Sequence, residues 1–225
     1  MESLTPSDTN KRGPRVPAAL IAMDEEGTWV QEAARVLGNG GLVALPTDTV
    51  YGVAAALSNP TGPAQIFEAK RRPGQTALAV LVSDTGQAAL LAEGLDGPLG
   101  VLARRFWPGP LTIVFSRRVG LGVSLGGDES TVGLRCPAQD ALRQLCDEVG
   151  PLITTSANIH GHPPAHSAAE AIQSLDGYVS LVIDGGIRDG APSTVVTWSG
   201  HSLAVLREGP LNPKLLHDAI HEGSQ

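Results

Sequence analysis

The sequence predicts a single α/β domain with a twisted, mixed parallel and antiparallel sheet flanked by helices. Short apolar runs bounded by Gly, Pro and polar residues indicate buried strands, and they alternate with stretches of helical periodicity. Three short strands close together near the C-terminus favour antiparallel pairing there. Strands and helices mixed along the whole chain, without an internal repeat or linker, indicate one layered α/β domain.

The first predicted helix covers 28–37, because Val30, Ala33, Ala34 and Leu37 are spaced to share one face. Asn39-Gly40-Gly41 ends it, and the apolar run 42–45 that follows is a predicted strand. The next elements are a strand over 53–57, a helix over 64–70 that Pro73 ends, and a strand over 78–82.

Two helices are predicted over 87–95 and 99–106, followed by strands over 111–115 and 131–135 with a glycine-rich turn region between them. The pattern then predicts a helix, a strand and a helix. The C-terminal part predicts three short strands and a last helix. These predicted elements cover 140–149, 152–155, 168–175, 181–184, 194–198, 203–207 and 213–221.

Composition is that of an ordinary soluble protein, with 42% hydrophobic and 17% charged residues. No run of 18 apolar residues predicts a membrane span, and the polar N-terminus does not resemble a signal peptide. We therefore expect a cytoplasmic protein with a flexible tail over 1–17 and a folded domain over 18–225. Cys136 and Cys146 fit neither a CxxC pair nor a zinc site, which favours inert thiols.

The net charge of −7 argues against a dedicated nucleic-acid binder, whose affinity rests on phosphate contacts. The basic residues are nevertheless clustered, at 70–72, 104–105 and 117–118. Clustered cations in an acidic protein suit a small anionic ligand at least as well as a polymer.

Four segments place polar groups where a plain core element would not. Segments 46–52 and 153–161 carry hydroxyls directly after strands, where open α/β sheets hold ligands, although turn formation explains them equally well. The cations of 70–73 could bind an oligophosphate or only stabilise the end of a helix. In 107–112, Thr112 is an unusual polar residue on a strand.

Several catalytic classes lack support. The sequence has no GxxxxGK[ST] loop, no GxSxG elbow, no HExxH and no cysteine paired with a histidine. A covalent mechanism is therefore not indicated. Positioning of substrates and neutralisation of their charge fit the residues better.

Taken together and in order, these segments resemble the YrdC-like threonylcarbamoyl-AMP synthase family. The matching stretches are GGLVALPTDTVYGV, IFEAKRRPGQTALAVLV, WPGPLTIVF, VGLRCP, ITTSANIHGHPP, PSTVV and LREG. The resemblance implies a sheet around a basic cavity and a nucleotidyltransferase in the short, single-domain form. It would convert L-threonine, bicarbonate and ATP to threonylcarbamoyl-AMP, pyrophosphate and water. Partner enzymes would then modify adenosine 37 of tRNAs reading codons that begin with A.

The resemblance also implies site residues. Lys70 and Arg72 would act in catalysis, and the ATP contacts would be Lys70, Arg72, Thr112, Ser156, Asn158 and Arg207. The threonine contacts would be Thr47, Thr154 and Ser193. Mg²⁺ would arrive on the phosphates of ATP rather than in a protein metal site, and no prosthetic group is expected. Arg135 is a weaker candidate for a structural or anion-facing charge.

The chain departs from the family pattern at His160, Thr197 and Gln139. Three alternatives remain at this stage: a module that binds tRNA or double-stranded RNA, a carbamoyl-transfer domain as in hydrogenase maturation proteins, and an inactive paralogue. The complete set of matched site residues argues against the last of these.

Overall fold

The computed structural model describes residues 17–24, 26–74, 76–175 and 177–222. The tail predicted over 1–17 lies, apart from its last residue, outside them. The helices are α1 (Thr28–Gly38), α2 (Gly62–Lys70), α3 (Thr85–Ala89), α4 (Pro98–Phe106), α5 (Asp140–Val149), α6 (Ala168–Leu175) and α7 (Pro213–Glu222). The strands are β1 (Ala19–Ala22), β2 (Val43–Pro46), β3 (Tyr51–Ala56), β4 (Ala79–Leu81), β5 (Ala92–Glu93), β6 (Leu111–Arg117), β7 (Thr131–Arg135), β8 (Leu152–Ser156), β9 (Leu181–Asp184), β10 (Thr194–Ser199) and β11 (Ser202–Arg207).

Local chemistry explains where several helices begin. Prolines stand in the first turns of α2 and α4, where a missing N–H costs nothing. The Asp84 carboxylate caps α3 by accepting a hydrogen bond from the backbone N of Gln87 at 2.7 Å. None of the helices in the described part of the chain has the length and apolarity to cross a bilayer.

All the strands described join one sheet, in the order β1-β9-β2-β3-β8-β4-β7-β6-β10-β11, with β5 paired to β6. The pairs β1–β9, β9–β2, β4–β7 and β6–β10 are parallel, and the remaining neighbours are antiparallel. The predicted mixed α/β sheet with flanking helices is therefore confirmed.

The two faces of the sheet are covered differently. One face packs against α2, α3, α4, α6 and α7 to form the larger apolar core. The opposite face is covered by α1 and α5 over the strands near β2 and β9, through side chains such as Trp29 and Leu145. On this second face, the apolar cluster under these two helices includes no residue of β6 or β10, whose side chains Thr112, Val114 and Val195 instead face open space.

A row of small or short side chains crosses the sheet on that second face. The strand register places Ala54 beside Thr154, Thr154 beside Ala79, Ala79 beside Gly133, and Gly133 beside Val114. Successive residues of a strand point to opposite faces, so these paired positions share one face. With alanine and glycine at its centre, the row makes a shallow trough in the sheet.

Two parts of the sequence-based prediction differ from the structure. β1 was not predicted, because this four-residue edge strand is largely exposed and lacks a buried apolar face. The helix predicted over 87–95 ends early: α3 stops at Ala89, and 92–93 form β5. Ala92 pairs with Arg117, and Gly94 has a φ of 84°, which a helix does not allow.

Candidate active site

A cavity of about 430 Å³ opens on the second face of the sheet, with no residue of α1 or α5 in its lining. Its walls come from the ends of central strands and from the loops that follow them, as expected for open α/β sheets. Eight of the nine site residues predicted from the resemblance line it: Thr47, Arg72, Thr112, Thr154, Ser156, Asn158, Ser193 and Arg207.

The cavity carries more positive than negative charge, and of its cations Arg135 is paired with Asp48. Three guanidinium groups line it, those of Arg72, Arg135 and Arg207, and no Asp or Glu stands among the described lining residues. Burial lowers the pKa of Arg72, and the nearby charge of Arg207 lowers it further. Burial also lowers the pKa of Arg207, and the charge of Arg135 lowers it further. Cations crowded in this way are stabilised by an anionic ligand.

Arg135 ties three segments together beside the cavity. Its Nε donates to the Gly109 carbonyl at 3.1 Å, its Nη1 to Thr49 Oγ1 at 3.0 Å, and its Nη2 to Asp48 Oδ1 at 2.5 Å. Its side chain is only 8% exposed, against 16% for Asp48. The sequence-based prediction of a structural charge at Arg135 agrees with this role, and the same residue also faces the cavity.

The hydroxyl of Thr47 shapes its own turn. It donates to the Val50 carbonyl at 2.7 Å and accepts from the backbone N atoms of Thr49 and Val50 at 3.0 and 3.2 Å. A hydroxyl has one donor and two acceptor positions, so this one is fully occupied. Thr47 lines the cavity, but any contact with a ligand in this arrangement falls to its other atoms.

Thr112, Ser193 and Arg207 form a chain of hydrogen bonds in the wall. The hydroxyls of Thr112 and Ser193 are 2.8 Å apart, and Arg207 Nη2 donates to Ser193 Oγ at 3.0 Å. Arg207 Nε also donates to the Ser193 carbonyl at 3.0 Å. Each hydroxyl has one hydrogen, and the bond between Thr112 and Ser193 uses only one of the two. The other hydroxyl hydrogen remains for a ligand.

The end of β8 contributes three more predicted residues. Thr154 Oγ1 donates to the Val53 carbonyl at 3.2 Å, and the Asn158 amide N donates to the carbonyls of Ile159 and His162 at 2.9 and 2.6 Å. The Ser156 hydroxyl has no hydrogen-bond partner in the described part of the chain. Ser156 is thus the predicted residue whose side chain is most available to a ligand.

Lys70, the ninth predicted residue, does not line the cavity. It is 1% exposed, and its Nζ donates to the carbonyl of Ser156, to the carbonyl of Asn158 at 2.6 Å and to Asn158 Oδ1 at 3.1 Å. The structure therefore places Lys70 behind the 156–158 turn, whereas the resemblance implies a contact with ATP phosphates. The difference arises because the turn folds over the ammonium group.

Arg72, two residues later, lines the cavity. Its Nη1 donates to Thr155 Oγ1 and its Nη2 to the Ala77 carbonyl, both at 2.8 Å. Its Nε is buried without a hydrogen-bond partner in the described structure. The guanidinium is held by two of its nitrogens and borders the cavity, where its positive charge is suited to an anionic ligand.

Sequence reasoning missed the apolar part of the lining, which includes Leu78, Leu125, Val114, Val132 and Val195. Apolar residues on strands look the same in sequence whether they face a core or a cavity. His160 and His162 also line the cavity, and neither was predicted as a site residue. The departure of His160 from the family pattern was the available signal.

No three His, Cys, Asp or Glu side chains converge as a metal site within the residues described. The free thiols are buried: burial raises the pKa of Cys136 to about 11, and it raises that of Cys146 as well. Neither thiol is suited to act as a nucleophile near neutral pH, because the thiolate is the reactive form.

Comparison with known proteins finds the same family over most of the chain. The Sua5/YciO/YrdC family model, described as telomere recombination, matches residues 35–209. The threonylcarbamoyl-AMP synthase of Pyrococcus abyssi is 34% identical over 195 residues, 86% of this chain and 57% of that protein. The threonylcarbamoyl-AMP synthase of Idiomarina loihiensis is 33% identical over 162 residues, 70% of this chain and 85% of that protein.

A solved structure is similar over nearly the whole fold. The crystal structure of P. abyssi Sua5 complexed with L-threonine matches with a TM-score of 0.84 and 33% identity, covering 91% of this chain and 61% of that one. This chain thus spans a little over half of the P. abyssi protein. From the extent of the family match, the shared fold and the identity to these relatives, the chain belongs to the Sua5/YciO/YrdC family.

Proposed function

We propose that this protein is a threonylcarbamoyl-AMP synthase, a nucleotidyltransferase that forms threonylcarbamoyl-AMP from L-threonine, bicarbonate and ATP. Relatives that carry this name are 33 and 34% identical to it. A similar structure contains L-threonine. The observation that carries the proposal is the cavity itself, in which three guanidinium groups and several hydroxyls converge without a lining carboxylate.

This set of groups fits the charges of the substrates. ATP, bicarbonate and the threonine carboxylate are all anions, and buried guanidinium groups bind such oxygens through charge-assisted hydrogen bonds. Hydroxyls and amides add direction to the binding of a small polar ligand. A cavity of about 430 Å³ is within the usual size range of small-molecule sites.

The reaction needs alignment more than it needs a protein nucleophile. The threonine amine forms a C–N bond with the carbon of bicarbonate, and water leaves after proton transfer. An oxygen of the resulting N-carboxy group then attacks the α-phosphorus of ATP, and the bond to pyrophosphate breaks. Mg²⁺ belongs to the ATP substrate and neutralises phosphate charge. No covalent bond to the protein forms in either step.

We assign the ATP contacts to Arg72, Thr112, Ser156, Asn158 and Arg207. The Asn158 side chain is bonded to Lys70, Ile159 and His162, so Asn158 would contact ATP only after one of these bonds is exchanged. Arg72 is supported by its charge and its place in the cavity lining, and Ser156 by its free hydroxyl. Arg207 and Thr112 are supported by their shared contact with Ser193.

The threonine contacts are assigned to Thr47, Thr154 and Ser193, which all line the cavity. For Thr47 the contact would come from atoms other than the occupied hydroxyl. Ser193 would act from the hydrogen-bonded wall that it shares with Thr112.

The product is an activated intermediate, so partner enzymes must transfer the threonylcarbamoyl group to tRNA. We place both steps in the cytoplasm. With a net charge of −7, direct binding of tRNA or double-stranded RNA would have to depend on a local basic surface and would weaken steeply with salt.

The test is pyrophosphate release from ATP with Mg²⁺, bicarbonate and L-threonine. We expect release that requires both bicarbonate and threonine. Arg72→Gln should lower kcat/KM by about 10- to 100-fold, because it removes charge-assisted hydrogen bonds to phosphate. Arg104→Gln is the matched control: Arg104 is exposed, donates to the Leu95 carbonyl and lies outside the cavity lining.

A folded protein that binds ATP but releases no pyrophosphate in response to threonine would refute the proposal. Equal losses in the Arg72→Gln and Arg104→Gln variants would refute the assignment of Arg72.

A further inference from the structure

Lys70 is one of the largest fully buried side chains, and it carries a charge. It ends α2, with 1% of its surface exposed. A lysine is seldom buried to this extent unless its ammonium group is paired or hydrogen-bonded.

The ammonium group is satisfied by the chain itself. It has three N–H donors, and three oxygens accept from it: the carbonyls of Ser156 and Asn158 and the side-chain Oδ1 of Asn158. No donor is left over for a phosphate oxygen. To bind phosphate directly, Lys70 would have to give up one of these bonds and pass through the turn that covers it.

Both ends of Lys70 hold the same segment. While its Nζ binds the 156–158 turn, its backbone carbonyl accepts a hydrogen bond from the backbone N of His160 at 2.9 Å. The Asn158 side chain extends this network to the His162 carbonyl. The segment that carries the free Ser156 hydroxyl at the cavity wall is therefore fastened to the end of α2 at several points.

We propose that Lys70 is a positioning residue, which sets the 156–158 turn so that Ser156 faces the substrates, and that Arg72 alone of the Lys70–Arg72 pair binds phosphate. The expected loss of activity in Lys70 variants rests on the proposed function, whereas the position of the ammonium group under the turn does not. Lys70 therefore acts from behind the cavity wall by holding the turn, and Arg72 acts from the cavity lining by binding phosphate.

Burial and the charge of Arg72 lower the pKa of Lys70 to about 7. A neutral amine has two N–H donors in place of three, so its deprotonation would release one of the oxygens of the turn. The pKa shift also makes a chemical test informative. Slow reaction of this amine with an acylating reagent cannot then be attributed to protonation.

The first experiment measures acetylation of the wild-type protein by an N-hydroxysuccinimide ester at about pH 8, where a lysine with this pKa is mostly neutral. Mass spectrometry follows the two lysines of the described chain, Lys70 and Lys214. Lys214 is exposed on α7 and serves as the internal control. We expect Lys70 to react more slowly than Lys214 by about two orders of magnitude, because the 156–158 turn must open before the reagent can reach it.

Labelling of Lys70 at a rate close to that of Lys214 would overturn the proposal. The result does not depend on enzymatic activity. If labelling agrees and threonine-dependent pyrophosphate release is absent, the proposed function fails while the placement of Lys70 stands.

The second experiment is a kinetic double-mutant cycle. Lys70→Met and Ser156→Ala should lower pyrophosphate release by similar factors, and the double variant should fall within about twofold of the worse single variant. The fold-losses of Lys70→Met and Arg72→Gln should multiply in the double variant instead, because Arg72 binds phosphate independently of the turn. Lys70→Arg should not restore activity, because a guanidinium does not fit three oxygens arranged around one nitrogen.

A phosphate-binding lysine would give the opposite pattern. Near wild-type activity in Lys70→Arg, or multiplying effects of Lys70→Met and Ser156→Ala, would overturn the proposal. Should Lys70→Met fail to fold, the labelling of the wild-type protein decides.

Discussion

Replacing Arg135 by methionine should destabilise the protein strongly. The change removes three hydrogen bonds, to the Gly109 carbonyl, Thr49 Oγ1 and Asp48 Oδ1. It also leaves the Asp48 carboxylate, 16% exposed, without its cation. Breaking a buried ion pair in this way typically costs about 3–5 kcal/mol. Because Asp48 keeps some contact with water, we expect about 3 kcal/mol in the free energy of unfolding.

For a protein of this size, that loss corresponds to a fall in Tm of about 6–12 °C. The free energy of unfolding would be measured by urea titration at neutral pH, with fluorescence and circular dichroism compared to verify two-state behaviour. Asp48→Asn in the Arg135→Met background should recover about 1–2 kcal/mol, because the stranded charge is then gone.

Arg143→Met is the matched control. Arg143 pairs with Asp140 one helical turn away, and the Asp140 side chain is 92% exposed. A pair with so exposed a carboxylate contributes about 0.5 kcal/mol, and the hydrogen bond from Arg143 Nη1 to the Pro137 carbonyl adds about 1 kcal/mol. If Arg135→Met cost no more than Arg143→Met, the argument that Arg135 fastens the 46–52 turn to the 107–112 segment would be refuted.

Three further predictions concern other parts of the molecule. Gly126→Ala should lower the free energy of unfolding by about 2 kcal/mol or more, because the added Cβ would lie 2.6 Å from the Gly74 carbonyl and the residue has a φ of 73°. Gly120→Ala is the control: its Cβ would meet no atom within 4 Å, so only its φ is unfavourable and the loss should be about 1 kcal/mol. Urea titration compares the two variants. Thr112→Val and Ser193→Ala should be non-additive in KM for ATP by about threefold or more, because their hydroxyls bond each other; additive effects would contradict the pairing. Because the pKa of Lys70 is lowered to about 7 in the folded protein, the unfolded chain holds more protons on Lys70 between about pH 7 and 10. The free energy of unfolding of the wild type should therefore rise with pH across that window. Urea midpoints should show this rise in the wild type and not in Lys70→Met.

Much of the fold could be predicted from the sequence because its elements carry strong local signals. The helices α5 and α6 have the predicted bounds, since apolar spacing and flanking turn residues agree there. β1 and β5 could not be predicted in this way. Ala92 and Glu93 are strand residues only because they pair with β6, and β1 exists because it pairs with β9. Pairing between distant segments has no local signal.

In the candidate site too, features with a local signal could be predicted and those that depend on distant segments could not. Hydroxyls that follow strands could be expected near one another from the sequence, because strand ends meet at one edge of a sheet, and the structure places Thr47, Thr154 and Ser156 around one cavity. Arg72 follows a helix, and its place in the cavity lining was indicated only by the family resemblance. The environment of Lys70 was not predictable, since its partner Ser156 is 86 residues away and the direction of the ammonium group depends on the path of that distant turn. For Thr47 the alternative of a turn was local, because a threonine hydroxyl can bond backbone groups two or three residues on, and the structure has these bonds.

The trough of small side chains across the sheet also offers a means of chemical discrimination. At Gly133 an added Cβ would stand 3.5 Å from Thr112 Cγ2 and 3.9 Å from Val114 Cγ2, which are ordinary contact distances. An alanine there fits the protein but occupies space at the floor of the cavity. An inhibitor grown to fill that floor would therefore lose affinity for the Gly133→Ala enzyme, and cells carrying this variant would reveal whether the compound acts through this protein or through another target.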